Sequence, residues 1–299
     1  MLQKRGSPET DRLLIVNADD FGMCHSGNEA IIGLLREGLI SSATLMTPCP
    51  WALEAAKAAA DNPHFDVGVH LTLTSEWKMY KWGPVTRNAD VSSLITPEGY
   101  FPAKCREVEE RADSAQVKTE LRNQVLLAMR LGVDPTHLDN HMGSVYGIAC
   151  GRDFLREAIE LCAEFRLPFR LPRQLGDNGR KMSPEMRRIY EERVRYADAC
   201  GIALIDHLLG LPYSLEEHET YDSFKAKMID TLRSLQPGIS EIIIHPFFAT
   251  EELKAITGQW AKRQMEYELF RDADVRRVID EENIRMTNWR MLRDAQRGG

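Results

Sequence analysis

The stretch LLIVNADDFG, residues 13–22, sets four aliphatic side chains directly against two adjacent carboxylates, Asp19 and Asp20. A short continuous apolar run reads as a strand buried on both faces, as in a parallel sheet. Two neighbouring anions at its end repel each other, and any loss of water sharpens that repulsion. A bound cation or a proton-transfer reaction gives such a pair a reason to stand there.

Working outward, short β-rich runs alternate with longer helical stretches. After RLLIVN (12–17) come ISSATLMT (40–47), FDVGVHLTL (65–73), PTHLDNH (135–141), LPFRLP (167–172), IALIDH (202–207), SEIIIHP (240–246) and NIRMTNW (283–289). Helical patterns fill the gaps at 26–38, 50–61, 115–132, 151–165, 183–200 and 223–235. In 115–132, Leu121, Val125, Ala128 and Met129 recur at helical spacing, with Gly132 placed to end the helix. Strands alternating with helices build a parallel sheet from βαβ units, and up to eight pairs predict a single-domain (β/α) TIM-like barrel, distorted or incomplete. An open doubly wound sheet is the alternative, but no GxGxxG follows the first run. Residues 75–113 break the rhythm and carry Trp77, Tyr80, Trp82, Tyr100 and Phe101 among Pro and Gly. They read as an insertion, a lid or a subunit contact; Trp77 and Trp82 offer faces for a sugar ring, or else core packing.

In parallel barrels the chemistry sits where strands end. The polar residues collect there: Asp19 and Asp20 close the first run, and His70 lies in the third, pointing away from the face of Val69 and Leu71. His137, Asp139 and His141 lie in the fourth, Arg170 and Arg173 at the fifth, Asp206 and His207 at the sixth, and His245 at the seventh. At strand spacing His137, Asp139 and His141 project to one side, a natural shell for zinc or another divalent ion. One carboxylate and two imidazoles would hold the ion, the other aspartate would take a proton from water, and a separate histidine would protonate a leaving group. This is equipment for hydrolysis of an amide or ester.

Composition narrows the rest. The 299 residues carry a formal charge of −7, which argues against a general nucleic-acid binder. The start MLQKRGSPETDR has no apolar h-region, and no apolar run approaches the roughly 20 residues of a membrane span. The six cysteines are scattered without a CxxC pair. A cytoplasmic protein without a disulfide framework is expected.

LLIVNADDFG, GVHLTLT, THLDNH and EIIIHP, in that order over residues 12 to 246, closely resemble the four signature segments of the YdjC-like carbohydrate deacetylases, which include chitooligosaccharide deacetylases. The resemblance implies a distorted (β/α) barrel, one divalent metal ion (magnesium or zinc, with manganese or cobalt able to fill the same shell) and hydrolysis of acetylated amino sugars. Carried over residue by residue, it makes Asp20, His70 and His141 the metal ligands, Asp19 the general base and His245 the general acid. His137 and Asp139 would orient ligands or touch substrate, and Arg170 or Arg173 would hold a carboxylate and tune Asp19. Where the chitooligosaccharide enzymes continue HLD-x-H into further histidines, this chain has Met142 and Gly143, which bears on the substrate. The expected partner is a sugar or oligosaccharide, with no nucleic acid and no membrane; the exposed aromatics of 75–113 suggest a homodimer.

Two rival functions fit the same pattern less well. A metal-dependent sugar isomerase or phosphoester hydrolase would show more carboxylate ligands. A non-catalytic sugar-binding protein would not need every catalytic position filled.

Overall fold

The computed structural model describes residues 11–176 and 182–298. Residues 1–10, which hold most of the polar start considered above, lie outside the described residues. β1 (Arg12–Phe21) leads through α1 (His25–Arg36) to β2 (Ser42–Leu45), and α2 (Ala52–Asp61) leads to β3 (Val67–Leu71). α3 (Cys105–Arg111) and α4 (Ser114–Arg130) precede β4 (Leu138–Asn140), and α5 (Leu155–Phe165) and α6 (Pro184–Ala199) precede β5 (His207–Gly210). α7 (Tyr221–Arg233) feeds β6 (Gly238–Ile244), and the chain ends with α8 (Glu251–Ile256), α9 (Trp260–Leu269), α10 (Ala273–Glu281), β7 (Arg285–Met286) and α11 (Trp289–Arg297).

Every strand pairing is parallel, in the order β4-β3-β2-β1-β6-β5, with β7 on β1. Single bridges, Leu138 to Phe169, Phe169 to Leu204 and Gln174 to His207, carry the sheet round from β4 to β5. The result is a distorted (β/α) barrel of the TIM type. It departs from eight regular pairs in three places: the run 167–172 makes bridges but no strand, 202–207 holds a single bridge at Leu204 before β5 begins at His207, and 283–289 contributes two paired residues. Pro168 and Pro172 remove ladder donors from the first, which explains its irregularity.

Alternation along the strands sorts the side chains. Leu14, Val16 and Ala18 join the main apolar cluster with Leu45, Val69, Leu138, Phe169 and Ile244 and the helices outside. Ile15 faces the other way and packs with Ile205, Ile239, Trp289 and Leu292, so α11 fills the barrel interior below Asn17 and Asp19. α4 is capped by Asp113, whose carboxylate accepts from Ala115 N and Gln116 N, and it is followed by Gly132 at φ +94°.

The segment 75–113 is tied down from α4. Buried Glu120 accepts the N–H groups of Val85 and Thr86 at 2.9 and 3.0 Å, and Gln116 accepts from Ser93 N at 2.9 Å. Trp77 and Trp82 are 6% and 2% exposed and meet edge to face, 5.9 Å between centroids; they are packing residues rather than open sugar-stacking faces. α3, which apolar spacing did not reveal, lies inside this segment. Among the described residues no helix is long and apolar enough to cross a membrane.

Candidate active site

A regular strand would send Asp19 and Asp20 to opposite faces. Here the β1–β2 register shifts between Ala18 and Phe21, and Asp20 takes φ +65°. Aspartate tolerates that left-handed backbone at a cost of about 1 kcal/mol. Asn28 of α1 secures the turn by accepting Gly22 N at 2.7 Å. Both carboxylates thereby reach the C-terminal mouth of the barrel, 4% and 1% exposed.

Asp19 lies in a fork. Arg170 Nη1 and Nη2 donate to its Oδ2 and Oδ1 at 2.8 and 2.6 Å, and Asn17 Nδ2 donates to Oδ1 at 2.8 Å. Burial alone would raise its pKa, but Arg170 and His70 beside it hold it well below the usual carboxylate range. Arg170 also meets Asp139 Oδ2 at 2.8 Å and, through Nε, Glu241 Oε1 at 2.9 Å. Three buried carboxylates around one guanidinium carry an excess of negative charge. Glu241 absorbs it: burial, aided by Asp19 and Asp139, pushes its pKa up to about 8 against the pull of Arg170. Arg173 is not brought here; it pairs with Asp198 at 2.6 Å near the surface.

Asp20 faces the two imidazoles. Its Oδ1 lies 3.2 Å from His141 Nδ1 and 3.6 Å from His70 Nε2, yet this buried oxygen has no hydrogen-bond partner. The three donor atoms of Asp20, His70 and His141 lie within 4.8 Å of one another. One carboxylate oxygen and two imidazole nitrogens converging in a buried spot, with the oxygen unsatisfied, fit a divalent ion. The far nitrogens are oriented as metal-ligating imidazoles usually are: His70 Nδ1 meets Asp139 Oδ1 at 2.7 Å and His141 Nε2 meets Glu76 Oε2 at 2.9 Å. Burial opposes charge on His141, but Glu76 and Asp20 raise its pKa to about 10. Asp19, His70 and Asp139 form a second cluster of converging donors, though Arg170 already occupies its carboxylates.

His137 lies deeper. It stacks on Trp289, 4.4 Å between centroids and 10° between planes, and its Nδ1 meets Thr136 Oγ1 at 3.0 Å. Burial and then Arg170 push its pKa well below the usual value, so it is neutral. His207 contacts the Pro237 carbonyl at 3.3 Å, away from the cluster.

His245 follows β6. Its N–H donates to Glu266 Oε2 at 2.8 Å, its Nδ1 is 3.7 Å from the same oxygen, and Tyr213 meets its ring edge-on at 5.2 Å. Burial would lower its pKa; Glu266 and Asp20 raise it above the ordinary value. α9 supplies Glu266 and, one turn earlier, Arg263, whose Nη2 is 3.2 Å from Asp20 Oδ2. Sequence reasoning missed Arg263, Glu266, Glu76 and Glu241. Asn17 and Glu241 sit on strands already flagged, and Glu76 directly follows the third. Arg263 and Glu266 carry only an i, i+3 spacing on a helix without a motif.

Converging aspartates, histidines and arginines at the strand ends of a parallel barrel are the layout of a barrel enzyme. The chain belongs to the YdjC-like protein family, whose model matches residues 13–281, as the four segments led us to expect. It is 31% identical over 290 residues to a carbohydrate deacetylase of Thermus thermophilus, covering 95% of each chain. To the carbohydrate deacetylase of Thermoanaerobacter pseudethanolicus it is 28% identical, covering 94% of this chain and all of the other. A crystal structure from Enterococcus faecalis, of a protein proposed to cleave cellobiose phosphate, superposes with a TM-score of 0.74 at 26% identity, covering 95% and 99% of the two chains.

Proposed function

We propose that this protein is a metal-dependent hydrolase that removes the acetyl group from an N-acetylated sugar or oligosaccharide. The observation that carries the reading is the buried Asp20 Oδ1, without a hydrogen-bond partner, facing the nitrogens of His70 and His141. Relatives named carbohydrate deacetylase, aligned over nearly the whole chain, support the reaction class. Asp20, His70 and His141 would hold the ion, zinc or magnesium. A divalent ion there would acidify a water and draw charge from the carbonyl oxygen.

The remaining steps belong to the chain. Asp19, kept anionic by Arg170, takes the proton of the attacking water. His245, its pKa raised with Glu266 beside it, gives a proton to the departing amine. Asp139 and Glu76 orient the two imidazoles. Arg170 rather than Arg173 tunes Asp19. His137 supports the site from below through Trp289 and Thr136.

The segment 75–113 acts as a lid on this reading, supported by Glu76 on His141 and by the Trp82 ring 6.1 Å from the His141 ring. Six free cysteines accord with work in the reducing cytoplasm.

Product analysis tests the function. N-acetylated sugars of graded length should yield acetate and a free amine. Phosphate from a sugar phosphate, or an isomerised sugar, without acetate would replace the deacetylase reading with one of the rivals.

A further inference from the structure

Arg263 has no part in the steps just described, yet it lies against the site. It is 1% exposed, and its Nη2 touches both Asp20 Oδ2, at 3.2 Å, and the Tyr213 hydroxyl. Its Nε and Nη1 are buried and have no hydrogen-bond partner among the described residues. Native proteins pair nearly all such groups, so two orphaned nitrogens on one buried guanidinium each call for an acceptor.

The surroundings define that acceptor. The rings of Phe247, Tyr213 and Trp77 have their centroids 4.6, 4.9 and 5.9 Å from the guanidinium carbon. Aromatic rings against a guanidinium leave its in-plane N–H edge for hydrogen bonding. A ligand group there must carry an oxygen in that plane and tolerate apolar walls. An acetyl group, one oxygen beside a methyl, has that character, and so does an acetate ion. Asp20 is the link: one oxygen meets Arg263 while the other faces His70 and His141.

We infer that Arg263 is the acyl anchor of this site, an unpaired N–H of its guanidinium binding the acetyl oxygen during hydrolysis and the acetate carboxylate afterwards. The inference rests on the deacetylase reading and adds a catalytic residue to it. As water forms the new C–O bond, one of its protons passes to Asp19 and the carbonyl π pair moves onto the oxygen, where Arg263 meets the new charge. That pair then returns, and the C–N bond breaks with its electrons going to nitrogen, which takes a proton from His245. Amide plus water has become amine plus acetic acid, which leaves as acetate and ammonium once the protons redistribute. A preset donor aimed at developing charge acts chiefly on kcat.

The test compares wild type with Arg263→Lys and Arg263→Ala, each checked for folding by circular dichroism and for metal content by elemental analysis. In Arg263→Ala, kcat should fall about 100-fold with KM changed by no more than a few-fold. Added guanidinium ion should restore part of the loss. Acetate binding, followed by calorimetry without turnover, should weaken at least tenfold in both variants, because lysine lacks the planar guanidinium whose N–H lies between the aromatic walls. If Arg263→Ala fails to fold, Arg263→Lys alone decides through acetate binding. Folded, metal-replete variants with wild-type acetate affinity and kcat within threefold of wild type would overturn the assignment. Failure of the wild type to release acetate from any substrate would instead sink the deacetylase reading, and the calorimetry would still decide whether Arg263 binds a carboxylate.

Discussion

Arg170 grips Asp19 through both terminal nitrogens, at 2.8 and 2.6 Å, and with the same guanidinium reaches Asp139 and Glu241. One buried cation therefore fixes the position and charge of the residue proposed as base and steadies the carboxylate behind His70. Asp19→Asn preserves shape but removes the proton acceptor. Its kcat should fall by about 10²–10⁴ while metal content stays at the wild-type level. Near-normal kcat in this variant would remove Asp19 from the role of base.

The metal shell makes a prediction that needs no substrate. Wild type, loaded and desalted, should retain about one divalent ion per chain by elemental analysis, and His70→Ala/His141→Ala, treated identically, should retain none. Equal metal in both would make the two imidazoles structural.

Glu241 ties stability to pH. Its pKa in the folded protein is raised to about 8, so unfolding releases a proton between the ordinary carboxylate range and that value. Wild-type stability should lose up to about 1.4 kcal/mol per pH unit from this group across that window, then level off. Glu241→Gln lacks the contribution and still offers Arg170 an oxygen. In urea unfolding from pH 5 to 9 the variant should gain on wild type as pH rises to about 8. A difference that does not change with pH would contradict a protonated Glu241.

Gly68 has no room for a methyl group. A Cβ there would stand 2.5 Å from His137 Cε1 and 2.8 Å from the His137 carbonyl oxygen. The ring cannot retreat, because it is stacked on Trp289. Gly68→Ala should destabilise by about 1–3 kcal/mol, and Trp289→Ala, which empties the barrel interior, by about 3–5 kcal/mol. Denaturant midpoints check both; an unchanged midpoint in either would contradict the packing described.

Much of this was legible in the sequence because alternation and strand-end chemistry are local signals. β1, β2, β3, β4 and β6 fall within their predicted runs or overlap them, and Asp19, Asp20, His70 and His141 converge although they lie up to 122 positions apart. What escaped was whatever depends on distant packing. His137, Asp139 and His141 are evenly spaced in sequence, but the turn after β4 and the Trp289 stack give them three different surroundings. Arg170 and Arg173 look equivalent in PFRLPR; only the barrel's curvature sends one inward to Asp19 and the other to Asp198. Arg263 and Glu266 sit on a helix whose polar sequence resembles a solvated face, and α9 is nonetheless folded over the strand ends.

β1 is paired with β6 from Arg12 to Ala18 and with β7 at Leu13 and Leu14. Among the described strands, the first in chain order is thus held by the last two. Until β6 and α9 are made, Asp19 and Asp20 have neither Glu241 nor Arg263 beside them, and β1 carries a bare edge. Such long-range closure slows folding and exposes strand edges to other chains. The acidic pair can take on its finished surroundings only after β6 and α9 have emerged, long after β1 itself, and a chain truncated before residue 238 would expose that edge to aggregation rather than make a smaller enzyme.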